Sequence, residues 1–291
     1  MTKLRLALVV LSVLPSFRPS FRLSAQSDVD RLAVRFSAIT AVTGYEQAMG
    51  DSLLALLPGS ERDRLGDVTL VLGSGAPRRL ATCALDEVGY VVGSVTDAGY
   101  LTLRRVGARF GYALFDQQLE GQRVTVFGTR GAVPGVVAVR SVHLTRGRAA
   151  GSEAPFTVDN AYVDVGAATR AEVAGLGLGL LAPVARAKRP TLYGNRLLAA
   201  PAAGRRAACA ALAAAALARP HVRGTVVVAF TVQSLYAGNA GLGAVKATRG
   251  PFDEIKQVNV TSRYPDTVVE TVSLADVEAL EHHLVAWMEG R

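Results

Sequence analysis

A block of short β-rich segments constrains the fold of this chain more than any other feature of the sequence. Seven such segments follow one another with Gly, Pro and Asp between them, at residues 68–72, 80–85, 90–95, 101–106, 123–127, 133–139 and 162–165. Short strands at this spacing are typical of a small barrel or a sandwich. We therefore expect an all-β module in the middle of the chain.

The regions on either side of this block have helical and buried-strand patterns. Residues 28–57 carry apolar side chains at helical spacing and break at Thr43-Gly44, which predicts two short helices around a turn. Residues 204–217 form an alanine-rich helical segment, and residues 224–233 are a continuous apolar run typical of a buried parallel strand. Residues 274–289 predict an amphipathic closing helix. The chain is therefore predicted to be an α/β protein with an all-β insertion.

The composition indicates a globular protein that does not bind nucleic acid. Half of the 291 residues are hydrophobic and only 19% are charged, which is enough apolar material for a full core. The net charge of +8 comes mainly from arginine, and these residues stand singly or in pairs such as Arg104-Arg105 and Arg205-Arg206. A nucleic-acid surface would instead group its basic residues with aromatic ones on one face.

The N-terminus has the pattern of a secretory signal. Lys3 and Arg5 precede an apolar run at residues 6–14, and a small residue, Ala25, offers a cleavage point. We expect residues 1–25 to direct the protein to the periplasm or to the outside of the cell. The alternative is an uncleaved N-terminal anchor that keeps the protein associated with a membrane.

The chain has two cysteines, Cys83 in a predicted core strand and Cys209 in the alanine-rich helix. One disulfide is possible in an oxidising compartment, but two cysteines do not make a disulfide framework. We expect two buried free thiols and leave a Cys83–Cys209 bond open.

Motifs spread in order along most of the chain carry a resemblance. They are Val42-Thr43-Gly44-Tyr45-Glu46, Asp63-Arg64-Leu65-Gly66-Asp67, Asp86-Glu87-Val88-Gly89-Tyr90, Gly121-Gln122-Arg123-Val124, Gly135-Val136-Val137, Val163-Asp164-Val165-Gly166-Ala167, Thr231-Val232-Gln233 and Ser262-Arg263-Tyr264. In these motifs the chain resembles the zinc metallopeptidase family of glutamyl aminopeptidase, the tetrahedral aminopeptidases and proteins once called endoglucanases. The resemblance implies an aminopeptidase-like α/β/α lobe with an inserted small barrel domain.

The resemblance also implies domain limits. Residues 26–86 and 182–291 would form the α/β lobe, and residues 87–181 the inserted β-domain. From Leu235 to Asp266 the chain advances only 31 positions, where the family places further strands and another metal ligand. We therefore expect a truncated lobe, with residues 236–241 as a flexible turn that shortens the active-site region.

The resemblance implies a site for two zinc ions, which imidazoles and carboxylates would hold. The positions that match the family's metal-binding and catalytic residues carry other side chains here, namely Ala84 and Asp266 for two histidines, Ala200 for the bridging aspartate, and Ser234 and Leu235 for the paired glutamates. Asp86 is retained, and its implied role is to orient the histidine that is missing. We expect a degenerate site with no catalytic residue, no metal and no other cofactor.

These expectations lead to a hypothesis about function. We expect an inactive relative of a zinc aminopeptidase, a pseudoenzyme, that serves as a structural or accessory subunit in the periplasm. Residues 87–181 would contact a protein partner or a second copy of the chain, and the N-terminus suggests docking on a membrane complex of the energy-transducing kind. The alternative is an exported peptide-binding protein or a residual aminopeptidase-like hydrolase.

Overall fold

The computed structural model describes residues 27–107, 113–138, 156–236 and 238–291. The segment predicted to be a signal or an anchor, residues 1–25, lies outside these ranges. Across the described ranges, no helix has both the length and the apolar character needed to cross a membrane.

Helices flank the β-rich block, as the sequence predicts. The α-helices of the described residues are α1 (Asp28–Ser37), α2 (Gln47–Leu56), α3 (Ala113–Gln117), α4 (Arg170–Gly175), α5 (Ala203–Leu217), α6 (Ala240–Arg249) and α7 (Leu274–Glu289). Ser27 caps α1 by accepting a hydrogen bond from the N–H of Asp30, and α5 is rich in alanine, the strongest helix former. The turn expected at residues 236–241 is corrected in part, because α6 begins at Ala240 with Asn239 as its cap.

Fourteen β-strands occur in the described residues, and they form two sheets and a barrel. They are β1 (Glu61–Arg62), β2 (Val68–Gly73), β3 (Arg78–Ala84), β4 (Gly89–Val95), β5 (Leu101–Val106), β6 (Arg123–Gly128), β7 (Gly131–Val137), β8 (Tyr162–Asp164), β9 (Pro183–Arg186), β10 (Thr191–Tyr193), β11 (Leu197–Ala199), β12 (Thr225–Thr231), β13 (Glu254–Gln257) and β14 (Thr271–Ser273).

The main sheet has the strand order β1-β2-β12-β3-β13, and β12 lies at its centre. Every residue of β12 is buried, and this strand runs parallel to β3 and antiparallel to β2. Val226, Val228 and Phe230 face the cluster that contains α1, α5 and α7, whereas Val227 and Ala229 face α6. Because helices cover both faces, β12 is apolar throughout rather than alternating.

The inserted module is a closed barrel with the strand order β4-β5-β8-β7-β6-β9. Its interior is a separate apolar cluster that includes Tyr90, Leu101, Val126 and Val163. The last barrel strand, β9, comes after residue 181, so the barrel takes a few residues from the segment assigned to the lobe. The predicted fold class, an α/β lobe with an inserted small barrel, is confirmed.

Two short connections bring the C-terminal part of the chain against the start of α5. Strand β11 pairs with β14, and the N–H of Ala200 donates to the carbonyl oxygen of Glu270 at 3.0 Å. The Oε1 atom of Glu270 then accepts a hydrogen bond from the N–H of Gly204 in the first turn of α5. These bonds place residues 200–205 beside residues 262–270 at the edge of the lobe.

The two cysteines form a disulfide, which corrects the expectation of two free thiols. Cys83 on β3 and Cys209 on α5 have their Cα atoms 5.5 Å apart, within the range that a disulfide spans. The two residues are 126 positions apart in sequence, and only the packing of α5 on the sheet brings them together. The bond therefore fixes α5 directly beneath the end of β3.

Candidate functional site

The candidate site begins where β3 ends and the chain crosses into the barrel. Asp86 lies in this crossing, and its side chain is fully buried. Its Oδ2 atom accepts hydrogen bonds from the hydroxyl of Thr43 at 3.0 Å and from the N–H of Leu235 at 2.9 Å. The hydroxyl of Ser234 donates to Oδ1 at 2.5 Å. Asp86 therefore has three donors in place of the histidine that it was expected to orient.

Arg205 completes the surroundings of Asp86. Its Nη1 atom donates to the Oγ atom of Ser234 at 2.9 Å and lies 3.7 Å from Oδ1 of Asp86. Ser234 thus accepts from the guanidinium group and donates to the carboxylate. The Ser234 hydroxyl therefore links the positive charge of Arg205 to the negative charge of Asp86 through two hydrogen bonds.

The neighbouring residue, Glu87, is surrounded by positive charge. Lys188 donates to Oε2 of Glu87, and Nη2 of Arg206 lies 3.2 Å from Oε1. The backbone N–H of Ala41 also donates to Oε1 at 3.0 Å. Arg206 is fully buried, and its Nη1 atom donates to the carbonyl oxygen of Leu85. Two cations therefore share one carboxylate in the interior, immediately below the cleft.

The pKa values of this cluster follow from burial and from the neighbouring charges. Burial alone would raise the pKa of Glu87, but the positive charges of Lys188 and Arg206 outweigh it and lower the pKa to about 2. Glu87 is therefore ionised throughout the neutral and mildly acidic range. Burial is also the largest influence on Lys188, and it lowers the pKa of that residue to about 8 against the attraction of Glu87.

Two further buried acids lie behind Asp86. The Oε1 atom of Glu46 accepts from the N–H groups of Gly44 and Gln233, and burial raises the pKa of Glu46. Asp67 accepts from the N–H of Val232 at 2.8 Å, and burial raises its pKa to about 7. Both carboxylates thus fasten the residues that follow β12, and these residues lead to Ser234 and Leu235.

A cleft of about 80 Å³ opens above these residues, between the lobe and the barrel. Its walls carry both signs of charge, with Glu87, Asp266 and Glu270 as acids and Arg186 and Arg205 as bases. Burial raises the pKa of Glu270 and lowers that of Arg186. Asp266 is exposed and lies in the left-handed backbone region, with φ at 61°.

Gln118 connects the two walls of the cleft. Its Oε1 atom accepts from the N–H of Val268 at 2.7 Å and from Nη1 of Arg186 at 3.4 Å. Its Nε2 atom donates to the carbonyl oxygen of Asp266 at 3.3 Å. One amide side chain of the barrel is therefore bonded both to a barrel strand and to the lobe.

The described residues do not fit the pair of zinc ions that the family resemblance implies. Ala84 and Ala200 have no donor atom in their side chains, Leu235 offers only an alkyl group, and Ser234 is bonded to Asp86 and Arg205. No group of three or more His, Cys, Asp or Glu side chains in the described part of the chain is arranged to hold a metal ion. We therefore derive no reaction step through a metal in this cleft.

The structure brings together some of the positions identified in the sequence and leaves others apart. Asp86, Ser234 and Leu235 are in direct contact, and Leu235 and Asp266 both line the cleft. Ala84 is the last residue of β3 and Ala200 follows the last residue of β11, and neither side chain carries a polar atom. Sequence reasoning missed Lys188, Arg206 and Glu270. The adjacent Arg205-Arg206 pair on an otherwise alanine-rich helix was the one available signal.

Comparison with known proteins gives the chain a family context. The profile of the M42 glutamyl aminopeptidase family matches residues 66–234, which is more than half of the chain. The putative aminopeptidase SgcX of Escherichia coli K12 is 30% identical over 179 residues, covering 59% of this chain and 46% of SgcX. The lysyl aminopeptidase of Pyrococcus furiosus is 28% identical over 141 residues, covering 47% of this chain and 39% of that enzyme. The chain thus spans less than half the length of the curated relatives it matches.

Solved structures with the same fold include an archaeal aminopeptidase and a peptidase of Pyrococcus horikoshii. The aminopeptidase APDkam598 of Desulfurococcus kamchatkensis aligns with a TM-score of 0.74 at 16% identity, over 90% of this chain and 95% of that one. The TET1 peptidase of Pyrococcus horikoshii, which can assemble into a tetrahedron or a large octahedral shell, aligns with a TM-score of 0.74 at 19% identity, over 89% of this chain and 99% of that one.

These comparisons support one part of the sequence-based interpretation and contradict another. The resemblance to the glutamyl and tetrahedral aminopeptidases is confirmed by the matching profile and by the shared fold. The expectation that the chain is not an enzyme is wrong, because the matching family is one of aminopeptidases and the relatives carry aminopeptidase names. The missing metal ligands are a property of this cleft, and they do not by themselves exclude the chain from the aminopeptidases.

Proposed function

Because the chain belongs to the M42 glutamyl aminopeptidase family, we propose that it recognises peptides, with one end of the peptide held in the cleft between Glu87 and Asp266. The observation that carries this proposal is the presence of both signs of charge on the walls of one small cleft. A peptide end presents an ammonium or a carboxylate group next to a side chain, and such a group needs an opposite charge close by.

The arrangement of the charges supports recognition of a free peptide end. Asp266 and Glu270 can receive an ammonium group, and Arg205 and Arg186 can receive a carboxylate. The volume of about 80 Å³ holds a terminal residue rather than a folded partner. Glu87 is already paired with Lys188 and Arg206, so its charge is neutralised before any peptide arrives.

Calorimetric titration with trialanine tests this proposal. We expect trialanine to bind and its N-acetylated, C-amidated form to bind at least about 10-fold more weakly, since the blocked form has lost both end charges; a 10-fold change corresponds to about 1.4 kcal/mol. A chelator should leave the affinity unchanged, because no group of three or more His, Cys, Asp or Glu side chains among the described residues is arranged to hold a metal ion. Equal affinity for the free and blocked peptides, or no binding of either, would contradict the proposal.

Substitution of one wall residue makes the test specific to the cleft. R205Q should weaken trialanine binding about 10-fold, because a charged partner of the peptide becomes neutral. R104Q is the matched control, since Arg104 is an exposed barrel residue that does not line the cleft. Release of free alanine, followed in the same samples with and without added zinc, measures turnover alongside binding.

A second proposal concerns assembly through residues 87–181. Tyr100 and Tyr162 lie in edge-to-face contact with ring centroids 6.4 Å apart, and both are exposed on the barrel together with Val136. Exposed apolar side chains in a group are typical of a protein contact. The TET1 peptidase, a structural neighbour, can assemble into a tetrahedron or a large octahedral shell. We propose that this barrel surface binds a second copy of the chain or another protein.

We also propose that the protein works in the periplasm or outside the cell, docked on a membrane complex through its N-terminus. The Cys83–Cys209 bond supports an oxidising compartment, since such bonds are rare in the cytosol. Fractionation of cells that produce the full chain, followed by mass measurement and affinity capture from detergent-treated membranes, tests location, cleavage and partners together. A chain found reduced and monomeric in the cytosol would contradict both parts of the proposal.

A further inference from the structure

A second cavity, of about 210 Å³, lies beside the cleft at the junction of the barrel and the lobe. Three arginines line it, Arg123, Arg186 and Arg189, and the lobe contributes Pro201 and Val268 to the opposite wall. The cavity is larger than the cleft, and among the described residues no carboxylate side chain is part of its lining. The charges that these residues bring to the cavity are therefore of one sign, in contrast to the mixed charges of the cleft.

The pairing of β6 with β9 is what brings these arginines together. Val124 of β6 is opposite Arg186 of β9, and the N–H of Ala187 donates to the carbonyl oxygen of Arg123 at 3.0 Å. Arg123 begins β6 at the point where β9 ends, and the chain continues from Ala187 to Arg189 along the same rim. Residues 63 positions apart or more in sequence thus reach one cavity through ordinary antiparallel pairing.

No direct ion pair joins these three guanidinium groups to an acid among the described residues, although Glu87 and Asp266 both attract the charge of Arg186. Arg186 stacks over the ring of Phe115, 4.9 Å from its centroid, and donates to Gln118. Arg123 and Arg189 are exposed side chains that form no ion pair with any described residue. Lys188, the basic residue between Arg186 and Arg189, turns away and is bound to Glu87. The cavity therefore collects the positive charges of Arg123 and Arg189, which no described acid pairs with directly.

We propose that this cavity binds a small oxyanion, a carboxylate or a phosphate, between the guanidinium groups of Arg123, Arg186 and Arg189. The planar fork of arginine matches the oxygens of both groups and forms paired charge-assisted hydrogen bonds with them. A water molecule occupies about 30 Å³ of the liquid, so the cavity has room for a phosphate or a small polycarboxylate with some of its water. Arg186 lines both this cavity and the peptide cleft, whereas Arg123 and Arg189 line this cavity alone, so anion binding here does not require a peptide.

Calorimetric titration of the full protein with inorganic phosphate and with citrate, at constant ionic strength, tests the proposal. We expect saturable binding of at least one of them and no matching heat with sodium chloride. Phosphate binding alone assigns the site to phosphate, citrate binding alone assigns it to carboxylates, and binding of both assigns it to oxyanions in general. Absence of saturable binding by either anion overturns the proposal.

Substitutions locate the binding. R123Q and R189Q should each lower the affinity for the anion about 10-fold or more, because each substitution removes one positive charge from the cavity. Both residues are exposed, so the substitutions should not disturb the core. R104Q, which changes an exposed barrel arginine outside the cavity, should leave the affinity unchanged. Thermal unfolding of each variant verifies its fold, and the anion should raise the Tm of the wild type and of R104Q more than that of R123Q or R189Q. An equal loss of affinity in all three variants would show general charge screening and overturn the proposal.

Discussion

The Nζ atom of Lys188 contacts Oε2 of Glu87, and both side chains are only 6% exposed. A buried ion pair loses its solvation by water, so its members depend on each other to remain charged. Glu87 has a second cation, Arg206, at 3.2 Å, so the carboxylate is the centre of a buried three-residue cluster. This cluster lies directly below the cleft and supports its floor.

Removal of Lys188 should therefore destabilise the protein strongly. We expect K188M to lower the free energy of unfolding by about 3 kcal/mol, since Glu87 then keeps only Arg206 as a charged partner in the interior. Urea unfolding followed by fluorescence measures the change. R170M is the matched control, because Arg170 and Asp97 form an exposed pair that contributes less than about 1 kcal/mol. Equal losses in the two variants would contradict the structural importance of the cluster.

Ser234 should contribute to stability through Asp86. S234A removes the donor at 2.5 Å from a fully buried carboxylate, and we expect a loss of about 1.5–3 kcal/mol, as for hydrogen bonds to charged groups. S94A is the control, because Ser94 bonds to Thr102 on the exposed surface of the barrel. If S234A unfolds at the same urea concentration as the wild type, the hydrogen bond from Ser234 to Asp86 does not contribute to stability.

Asp67 should make stability depend on pH in the acidic range. Its pKa is raised from 3.8 to about 7, primarily by burial, so the folded protein binds more protons than the unfolded chain between these values. The contribution of Asp67 to stability should therefore fall as pH rises from about 4 to about 7 and stay level above that.

The variant D67N tests this dependence, because the amide keeps an acceptor for the N–H of Val232 and carries no charge. We expect D67N to lose this contribution to the pH dependence and to be more stable than the wild type by about 1–2 kcal/mol at pH 8. Urea unfolding at a series of pH values gives the comparison, with D97N as an exposed control. An unchanged slope in D67N would show that other groups set the pH dependence.

Reduction of the Cys83–Cys209 bond should lower stability by about 2–4 kcal/mol, because the bond restricts a long loop in the unfolded chain. Unfolding with and without a reducing agent measures the effect, and C83A/C209A under the same conditions shows how much the agent alone contributes. Thiol titration of the protein purified without reductant should find no free cysteine. Two reactive thiols after unfolding would contradict the disulfide.

The elements with a clear periodicity can be predicted from the sequence. Strand β12 is a continuous apolar run, α5 is an alanine run, and the segments of the barrel alternate with turn residues. Helix α6 was missed because Gly241 and Gly243 lower its helix propensity. Gly241 has a separate reason to be small, since a Cβ atom there would lie 2.4 Å from the carbonyl oxygen of Val232.

The site was only partly accessible, because its charges come from distant parts of the chain. Asp86, Ser234 and Leu235 were found by their place in the motifs of the family. The cations of Glu87 are 101 and 119 positions away, and nothing in the spacing links them to it. The disulfide that replaces the two expected free thiols has the same origin, since only the packing of α5 on β3 brings its cysteines together. Contacts made by tertiary packing leave no local pattern in the sequence.

The hydrogen bonds that Gln118 makes to the lobe have a consequence for how a ligand enters. The amide joins a barrel strand to the 266–268 segment of the lobe, at the rim of both cavities. Movement of the barrel away from the lobe would break the bonds to Asp266 and Val268 together, because one side chain makes both, whereas the bond to Arg186 lies within the barrel. A ligand that needs a wider opening at either cavity should therefore meet resistance from the same two bonds.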